Sequence, residues 1–572
     1  MKQQFQKFVF VTSCTALTII GISTWKKSSE AITSNAGTKR PNIVFLIADD
    51  LGYADLPMYG GEVPTPNIEA LAKSGMMLTN FHTAPTCSPS RAMLISGVDN
   101  HENGLATMDG LQSQAQKGQP GYEGYLNNRV VPLPQLLKDA GYHTYMVGKW
   151  HLGEEPGYRP SERGFEQSFA LMQGGGSHFN LVGEEPNATS IFFDNGKRVT
   201  SLPANHYSSR TYTDKAIEYI NKNRGDGKPF FVYTSYQAVH APLHAPDEYI
   251  QKYMGKYDMG WDKLREQRFN RQKQLGLIPD YVSLPPRWPM VPAWDSLSPE
   301  ERRFNSKKMA IYAGMLNALD DNIGRLVTHL KQIGEYDNTV FVFLSDNGGS
   351  GLDFVNTTNG KESPSPEFQE WFKKVGMNNS YENIGRVNSY VSLGINWAQP
   401  STTPLLWSKA RHSEGGVRVP AFISYSGGGV MSGRKSDAFT REVDIVPTVL
   451  NYAGVNPPGN TYQGRPVVPL EGRSLRPFLE GKSAQVYSPT EPIVQEVFGT
   501  SNKFVVLGDW KILQLNPPWG DRTWKLYNLR MDPRELNDLS EVYPDQLKKM
   551  VAIYDRYAKD MRIVPGDPES GY

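Results

Sequence analysis

Cysteine is nearly missing from this 572-residue chain, which holds two, at positions 14 and 87. Cys14 lies in an apolar N-terminal segment that reads as an export signal, so Cys87 is the one that the folded body keeps. A lone thiol in an exported chain forms no internal disulfide and is either an inert core residue or a chemical handle. An excess of charge of one sign is missing too. The 60 basic and 59 acidic residues leave a net charge of +1, so no global field draws in nucleic acid or anionic lipid. Long apolar runs are absent except from Phe8 to about Trp25, and no other stretch is long enough to span a bilayer. Internal repeats, heptads and low-complexity tracts are absent as well.

The N-terminal run has Lys2 and Lys7 before it and small polar residues after it, with Ser29-Glu30-Ala31 as a cleavage site. Lys26 and Lys27 also fit an uncleaved helical anchor, and Val11-Thr12-Ser13-Cys14 loosely resembles a lipoprotein box. The expectation is an exported body, periplasmic or secreted. Residues 1–31 would be a signal peptide, and the alternative is a helix- or lipid-anchored form that touches membrane only through this segment.

What is present suits a loop-rich enzyme: 39% hydrophobic residues, 53 glycines and 41 prolines. Four short apolar runs end abruptly in polar residues. Ile43–Ile47 leads to Asp49-Asp50, His143–Val147 to Lys149 and His151, Phe230–Tyr233 to His240, and Val340–Leu344 to Asp346-Asn347. Such runs read as strands buried on both faces. Helical patterns at Pro132–Ala140, Thr213–Asn223 and Lys308–Ile333 separate them. The alternation predicts an α/β fold, a mostly parallel central sheet with helices on both faces, and one site at the strand carboxyl ends. After Pro457-Pro458-Gly459-Asn460 the texture changes to short strands (Phe504–Leu507, Trp510–Leu513) and a helix over Asp545–Met561. The domain reading is a catalytic domain at 40–458, with an insertion at about 247–306, and a smaller α+β domain with a short antiparallel sheet at 460–572. Trp261, Trp288 and Trp294 in the insertion are either a stacking wall for substrate or packing against the main domain.

Asp49, Asp50, Asp346 and Asn347 offer oxygen donors from two strand ends, a set that selects a hard cation, Ca²⁺ or Mg²⁺. Arg91, Lys149 and Lys409 are candidates to hold an oxyanion. His151 and His240 could move protons near neutral pH. Around Cys87, Pro89 fixes the backbone and Arg91 adds a permanent cation, a nucleophile's surroundings more than a core's.

Five motifs then carry a resemblance: Pro85-Thr86-Cys87-Ser88-Pro89-Ser90-Arg91 continuing to Gly97, Gly141–His151, Ala48-Asp49-Asp50-Leu51-Gly52, Ser345-Asp346-Asn347-Gly348-Gly349 and Glu414–Pro420. With Leu526-Tyr527-Asn528-Leu529 near the end, they resemble, in order, the signatures of the type I, formylglycine-dependent sulfatases of the alkaline-phosphatase-like superfamily. The stretch Asn383–Tyr390 and the insertion look closest to bacterial arylsulfatases. Ser96 departs from the commoner Thr or Ala of the first signature.

The resemblance implies that a maturation enzyme converts Cys87 to formylglycine, whose hydrate is the nucleophile. It implies Ca²⁺, with Mg²⁺ the alternative, held by Asp49, Asp50, residue 87, Asp346 and Asn347. Asp346 would accept a proton, Arg91 steady the diol, and Lys149 bridge diol and sulfate. His240 and Lys409 would face the leaving oxygen, and His151 would take the second hydroxyl's proton. The implied substrates are small aryl sulfates or sulfated glycans. The alternatives are a phosphonate monoester or phosphodiester hydrolase, and an inactive protein that binds sulfated glycans.

Overall fold

The computed structural model describes residues 39–353 and 366–567; the expected signal over residues 1–31 lies outside them. Among the described residues no helix is long and apolar enough to cross a membrane.

The central sheet has ten strands. In chain order they are β1 Asn42–Ala48, β2 Gly75–Leu78, β3 His143–Lys149, β4 Gln167–Leu171, β5 Phe192–Asp194, β6 Lys197–Arg198, β7 Phe230–Ser235, β8 Thr339–Ser345, β9 Ala421–Ser424 and β10 Arg434–Ser436. Across the sheet they run β10-β2-β9-β8-β1-β7-β3-β4-β5-β6. The middle strands β8, β1, β7, β3 and β4 run parallel to one another, while β9 pairs antiparallel to β8, β5 to β4 and β6 to β5.

All seven side chains of β1 are buried, because each face carries a helical layer. Alternation sends Val44, Leu46 and Ala48 to one core and Ile43, Phe45 and Ile47 to the other. On the first face Tyr212 and Ala216 of helix Ser208–Lys222 and Met309, Leu316 and Leu319 of helix Pro299–Gln332 close the core. On the second face Ala92, Leu94 and Ile95 of helix Cys87–Ser96 and Val446, Val449 and Leu450 of helix Ile445–Ala453 do so. The α/β expectation holds, and each of the four expected strands is present with one or two residues added at its ends.

A four-stranded antiparallel sheet follows: β11 Pro492–Glu496, β12 Lys503–Leu507, β13 Trp510–Gln514 and β14 Lys525–Asn528. Helix Pro544–Asp560 packs Met550 and Tyr554 against Val505, Ile512 and Leu526. Two buried polar ties join this sheet to segments outside it. Lys511 Nζ lies 2.8 Å from Glu414 Oε1 and 2.8 Å from Glu535 Oε1, all three side chains fully buried, and Glu414 also meets His82 Nε2 at 3.1 Å. His101 reaches Asp99 Oδ1 at 3.1 Å through Nδ1 and Glu496 Oε2 at 2.9 Å through Nε2.

The insertion tryptophans are packing, not a wall. Trp261, Trp288 and Trp294 are 5% exposed or less. Trp261 meets the edges of Trp294 and Trp397 at 4.7 and 5.5 Å, and Trp288 meets Trp407 at 5.2 Å. Arg268 of insertion helix Gly260–Gln274 donates to Asp55 Oδ1 at 2.6 Å and to Glu62 Oε2 at 2.8 Å. Asp55 Oδ2 in turn accepts from Gly52 N at 2.8 Å and from Tyr312 Oη at 2.7 Å. The insertion therefore braces the loop that leaves β1.

Lys511→Met should destabilise the protein by about 3–5 kcal/mol, because it strands two buried carboxylates; a lowered urea midpoint at unchanged slope checks this. Burial opposes the His101 charge, but hydrogen bonds to Asp99 and Glu496 prevail and push its pKa up to about 10. That contribution is complete below the ordinary histidine value of about 6.5 and is lost as pH rises through about 10. The melting temperature should fall across this window in the native chain and fall less in His101→Gln.

Candidate active site

The carboxyl ends of β8, β1, β7 and β3 lie side by side, and their polar extensions are zipped together by backbone bonds. Asp346 N donates to Ala48 O at 3.1 Å, Asp49 N to Ala238 O at 3.0 Å and Val239 N to Asp49 O at 2.8 Å. Leu51 N donates to Ser345 Oγ at 2.9 Å and Asp50 N to Asp346 Oδ1 at 3.2 Å. Asp50 takes a left-handed φ of 63°, which turns consecutive carboxylates into one pocket.

Helix Cys87–Ser96 starts at this pocket. Cys87 is its first residue and Arg91 lies one turn on, on the same face. Cys87 Sγ sits 3.7 Å from Asp49 Oδ1 and 4.0 Å from Asp50 Oδ1. Three ion pairs surround it. Lys149 Nζ meets Asp49 Oδ2 at 2.8 Å, Lys409 Nζ meets Asp50 Oδ1 at 2.8 Å, and Arg91 holds Asp346 Oδ2 through Nε and Nη2, both at 2.8 Å. All six side chains are 3% exposed or less. Arg91 also donates to Ser235 Oγ at the end of β7.

Burial sets the electrostatics. It pushes the Cys87 thiol up to about 12 against the pull of Lys149 and Lys409, so an unmodified thiol here stays protonated at neutral pH. It pushes Asp49 up to about 7, with Lys149 opposing. For Asp346 burial also works upward, but Arg91, Lys149 and Lys409 outweigh it and hold the carboxylate well below its usual range. Asp50 is likewise lowered, by Lys409 and then His240.

Both histidines are kept neutral. Burial, then Lys149, Arg91 and Lys409, holds His151 well below its ordinary value, and its buried Nδ1 has no partner. His240 falls to about 3, burial first, with Lys409 and Lys149 adding to it against Asp50. Its Nδ1 lies 2.7 Å from Ala241 O, which assigns the proton to Nδ1. Its Nε2 faces Asp50 Oδ2 at 3.6 Å and Glu184 Oε1 at 3.7 Å.

The donor set fits a hard divalent cation. Asp49, Asp50, Cys87 and His240 present ligand atoms within 4.8 Å of one another. Asn347 sends Nδ2 to Asp50 Oδ1 at 2.7 Å, which leaves its buried Oδ1 without a donor. A lone carbonyl oxygen beside three carboxylates is a cation's ligand set. Asp346 is engaged by Arg91 through Oδ2 alone, which leaves Oδ1 as its oxygen for a cation. The charges agree as well, since the three paired carboxylates and three cations cancel, and a dication outweighs the remaining carboxylate, Glu184, and leaves positive charge for anions.

The ten residues singled out from the sequence therefore form one cluster. Sequence reasoning missed Glu184, Ser235 and the run Gly174-Gly175-Gly176. A Cβ on Gly174 would lie 2.9 Å from His151 Cε1, and one on Gly175 would lie 2.4 Å from Glu184 Oε2 and 3.0 Å from His240 Cε1. Three glycines shortly after a strand do signal close backbone approach. Glu184 sits in an irregular polar loop that carries no such signal.

Known proteins place this constellation. The family model described as Sulfatase matches residues 41–455, and one described as N-sulphoglucosamine sulphohydrolase, C-terminal, matches 406–559. The chain is 42% identical over 549 residues to an uncharacterized sulfatase of Schizosaccharomyces pombe, covering 93% of this chain and 96% of that one. It is 39% identical over 455 residues to the arylsulfatase of Klebsiella aerogenes, covering 78% and 94%. The crystal structure of Ps i-CgsB in complex with k-i-k-neocarrahexaose shares the fold, with a TM-score of 0.63, 24% identity and coverage of 91% and 93%. The motif order, the clustered strand ends and these matches agree: the chain belongs to the sulfatase family and is a sulfuric ester hydrolase.

Proposed function

We propose that the chain hydrolyses sulfate monoesters, of aryl alcohols or carbohydrates, by attack from a formylglycine hydrate made from Cys87. The observation that carries this reading is the convergence of three buried cations, Arg91, Lys149 and Lys409, on carboxylates that gather around the first residue of one helix, Cys87, whose Sγ lies 3.7 Å from Asp49 and 4.0 Å from Asp50. Maturation then depends on a separate modifying enzyme that reads the Cys87–Arg91 motif. The N-terminal segment would export the protein to the periplasm or beyond.

Asp49, Asp50, Asn347, residue 87 and Asp346 would hold Ca²⁺, with Mg²⁺ the alternative. When bound, the cation neutralises charge and lowers the basicity of the attacking oxygen. The remaining chemistry belongs to the chain. Arg91 and Lys149 steady residue 87 and the sulfate, and Lys409 faces the sulfate from the Asp50 side. Asp346, kept ionised by Arg91, is a weak but always available proton acceptor. His240 is neutral at rest, and an anionic sulfate offsets the two ammonium charges that help to keep it so. It can then carry a proton to the leaving oxygen. The sulfur–oxygen bond to the alcohol breaks as the bond to residue 87 forms. His151, neutral with a free ring nitrogen, takes the proton of the second hydroxyl, and the C–O bond to sulfate then breaks to regenerate the aldehyde.

Purified protein should release free sulfate from nitrophenyl sulfate or from sulfated sugars, and much faster than it cleaves a matched phosphodiester. Cys87→Ala should lower release by about a thousandfold or more. Cys87→Ser should sulfate itself once and stop, because a serine ester lacks the second hydroxyl. Undiminished multiple turnover by Cys87→Ser would sink the mechanism, and a faster phosphodiester would favour the phosphonate or phosphodiester reading.

Gly174→Ala drives a methyl against the His151 ring. It should cost about tenfold to a hundredfold in kcat, with the sulfated form accumulating in intact-mass spectra while the melting temperature stays within a few degrees. Slow turnover without that accumulation would remove His151 from the second step.

A further inference from the structure

Among the described residues Glu184 is the one carboxylate of this cluster without a Lys or Arg ion pair; burial pushes it up to about 7 against the longer-range pull of Lys149 and Lys409, so that a share of it is ionised at neutral pH. It stands on a hairpin whose arms are joined by the bridge Val182–Thr189, by Gly183 N to Ala188 O at 3.1 Å and by Ser190 N to Leu181 O at 2.8 Å, and the bridge Gly176–Gly183 ties the first arm to the glycine run. Val182 packs against the Trp371–Tyr390 cluster, and Lys374 Nζ donates to Asn187 Oδ1 at 2.8 Å, so the hairpin is held from outside. Gly175 leaves the space that the Glu184 carboxylate fills. Its side chain is 15% exposed beside a His240 that is 3% exposed.

Among the described residues no donor hydrogen-bonds to this carboxylate. His240 Nε2, at 3.7 Å, lies beyond reach, and with Nδ1 protonated it is an acceptor. A carboxylate with no protein donor on the partly open side of a buried pocket is placed to accept a hydrogen bond from what enters there. The buried cations pair more closely with other carboxylates, Lys149 with Asp49 and Lys409 with Asp50, and act on Glu184 only at longer range. The partly exposed members of the cluster, His151, Gly174 and Glu184, mark the side from which substrate enters. On the reading above, the leaving oxygen faces His240, so the group attached to it passes over Glu184.

We propose that Glu184 is a specificity residue, whose carboxylate accepts a hydrogen bond from a hydroxyl on the carbon next to the sulfate ester. It favours polyhydroxylated leaving groups and repels those carrying a second sulfate at that carbon. This rests on the sulfate-ester reading and deepens it. A planar aryl ester without a neighbouring hydroxyl leaves the carboxylate unmatched. A vicinal disulfate places two anions together.

The test is a two-by-two comparison. kcat/KM is measured for native protein and Glu184→Ala on a monosaccharide monosulfate and on its analogue with the neighbouring hydroxyl replaced by hydrogen. Native protein should prefer the hydroxylated substrate, and Glu184→Ala should shrink that preference by about ten- to a hundredfold, the range of a hydrogen bond to a charged group. Glu184→Gln, which keeps one acceptor oxygen, should lie between. Relative turnover of the vicinal disulfate should rise in Glu184→Ala. A preference ratio unchanged within about twofold overturns the proposal even when both rates fall together, since that pattern means that Glu184 only positions His240. No native preference for the hydroxyl overturns it as well. If native protein releases sulfate from nothing, the sulfate-ester reading fails first, which is a different result from an unchanged ratio.

Discussion

Three buried ion pairs at adjoining strand ends, Asp49–Lys149, Asp50–Lys409 and Asp346–Arg91, are the constraint around which this molecule is arranged. Each ion costs several kcal/mol to remove from water, and a well-packed apolar replacement is often as stable. Stability alone does not account for six such groups in one pocket. They make sense where charge must be ready before it is needed, because prepositioned dipoles and ions require no reorganisation when an anion arrives. The six come from five places in the chain, and the parallel order β8-β1-β7-β3 brings the strand-end members side by side.

Much of the rest of the fold keeps that pocket dry and fixed. The insertion reaches back through Arg268 to Asp55, and Asp55 receives the amide of Gly52, two residues after the carboxylate pair. The C-terminal sheet reaches in through Lys511 to Glu414, whose segment leads back from Lys409. Both attachments are themselves buried charges, so each falls under the same rule. An unpaired member is costly, and the contacts are therefore made completely or not at all. Such braces make a pocket of opposed charges tolerable to the fold.

The sequence was legible where physics leaves a periodic or abrupt mark. Apolar runs buried on both faces could be seen as strands, and their polar ends as one site, since a doubly covered sheet has nowhere else to place Asp49, Lys149, His240 and Asp346. Helix Cys87–Ser96 brings residue 87 and Arg91 to one face by its pitch alone. Lys409 had no such mark; only family resemblance singled it out, because its partner Asp50 lies 359 residues away. Trp261, Trp288 and Trp294 were open to two readings, since an aromatic run looks alike whether it faces a ligand or a core. Glu184 was invisible because its environment comes from Gly175 and His240, which no local pattern connects to it.

The enclosure of the pocket also bears on which ester it takes. A sulfate monoester and a phosphodiester both carry one negative charge, so the surplus left by a divalent cation suits either equally. They differ in shape. The sulfate presents three non-bridging oxygens and one organic arm, the diester two oxygens and two arms. Arg91, Lys149 and Lys409 are 1% exposed or less, and the partly open residues His151, Gly174 and Glu184 share one side through the glycine run. A site with donors on its closed sides and one way out accommodates one arm, whereas a second arm would have to lie against a buried ammonium or guanidinium and displace its partner. By this geometry the pocket is better matched to the sulfate monoester, and the group beyond the ester oxygen is left to be read by what lines that single exit.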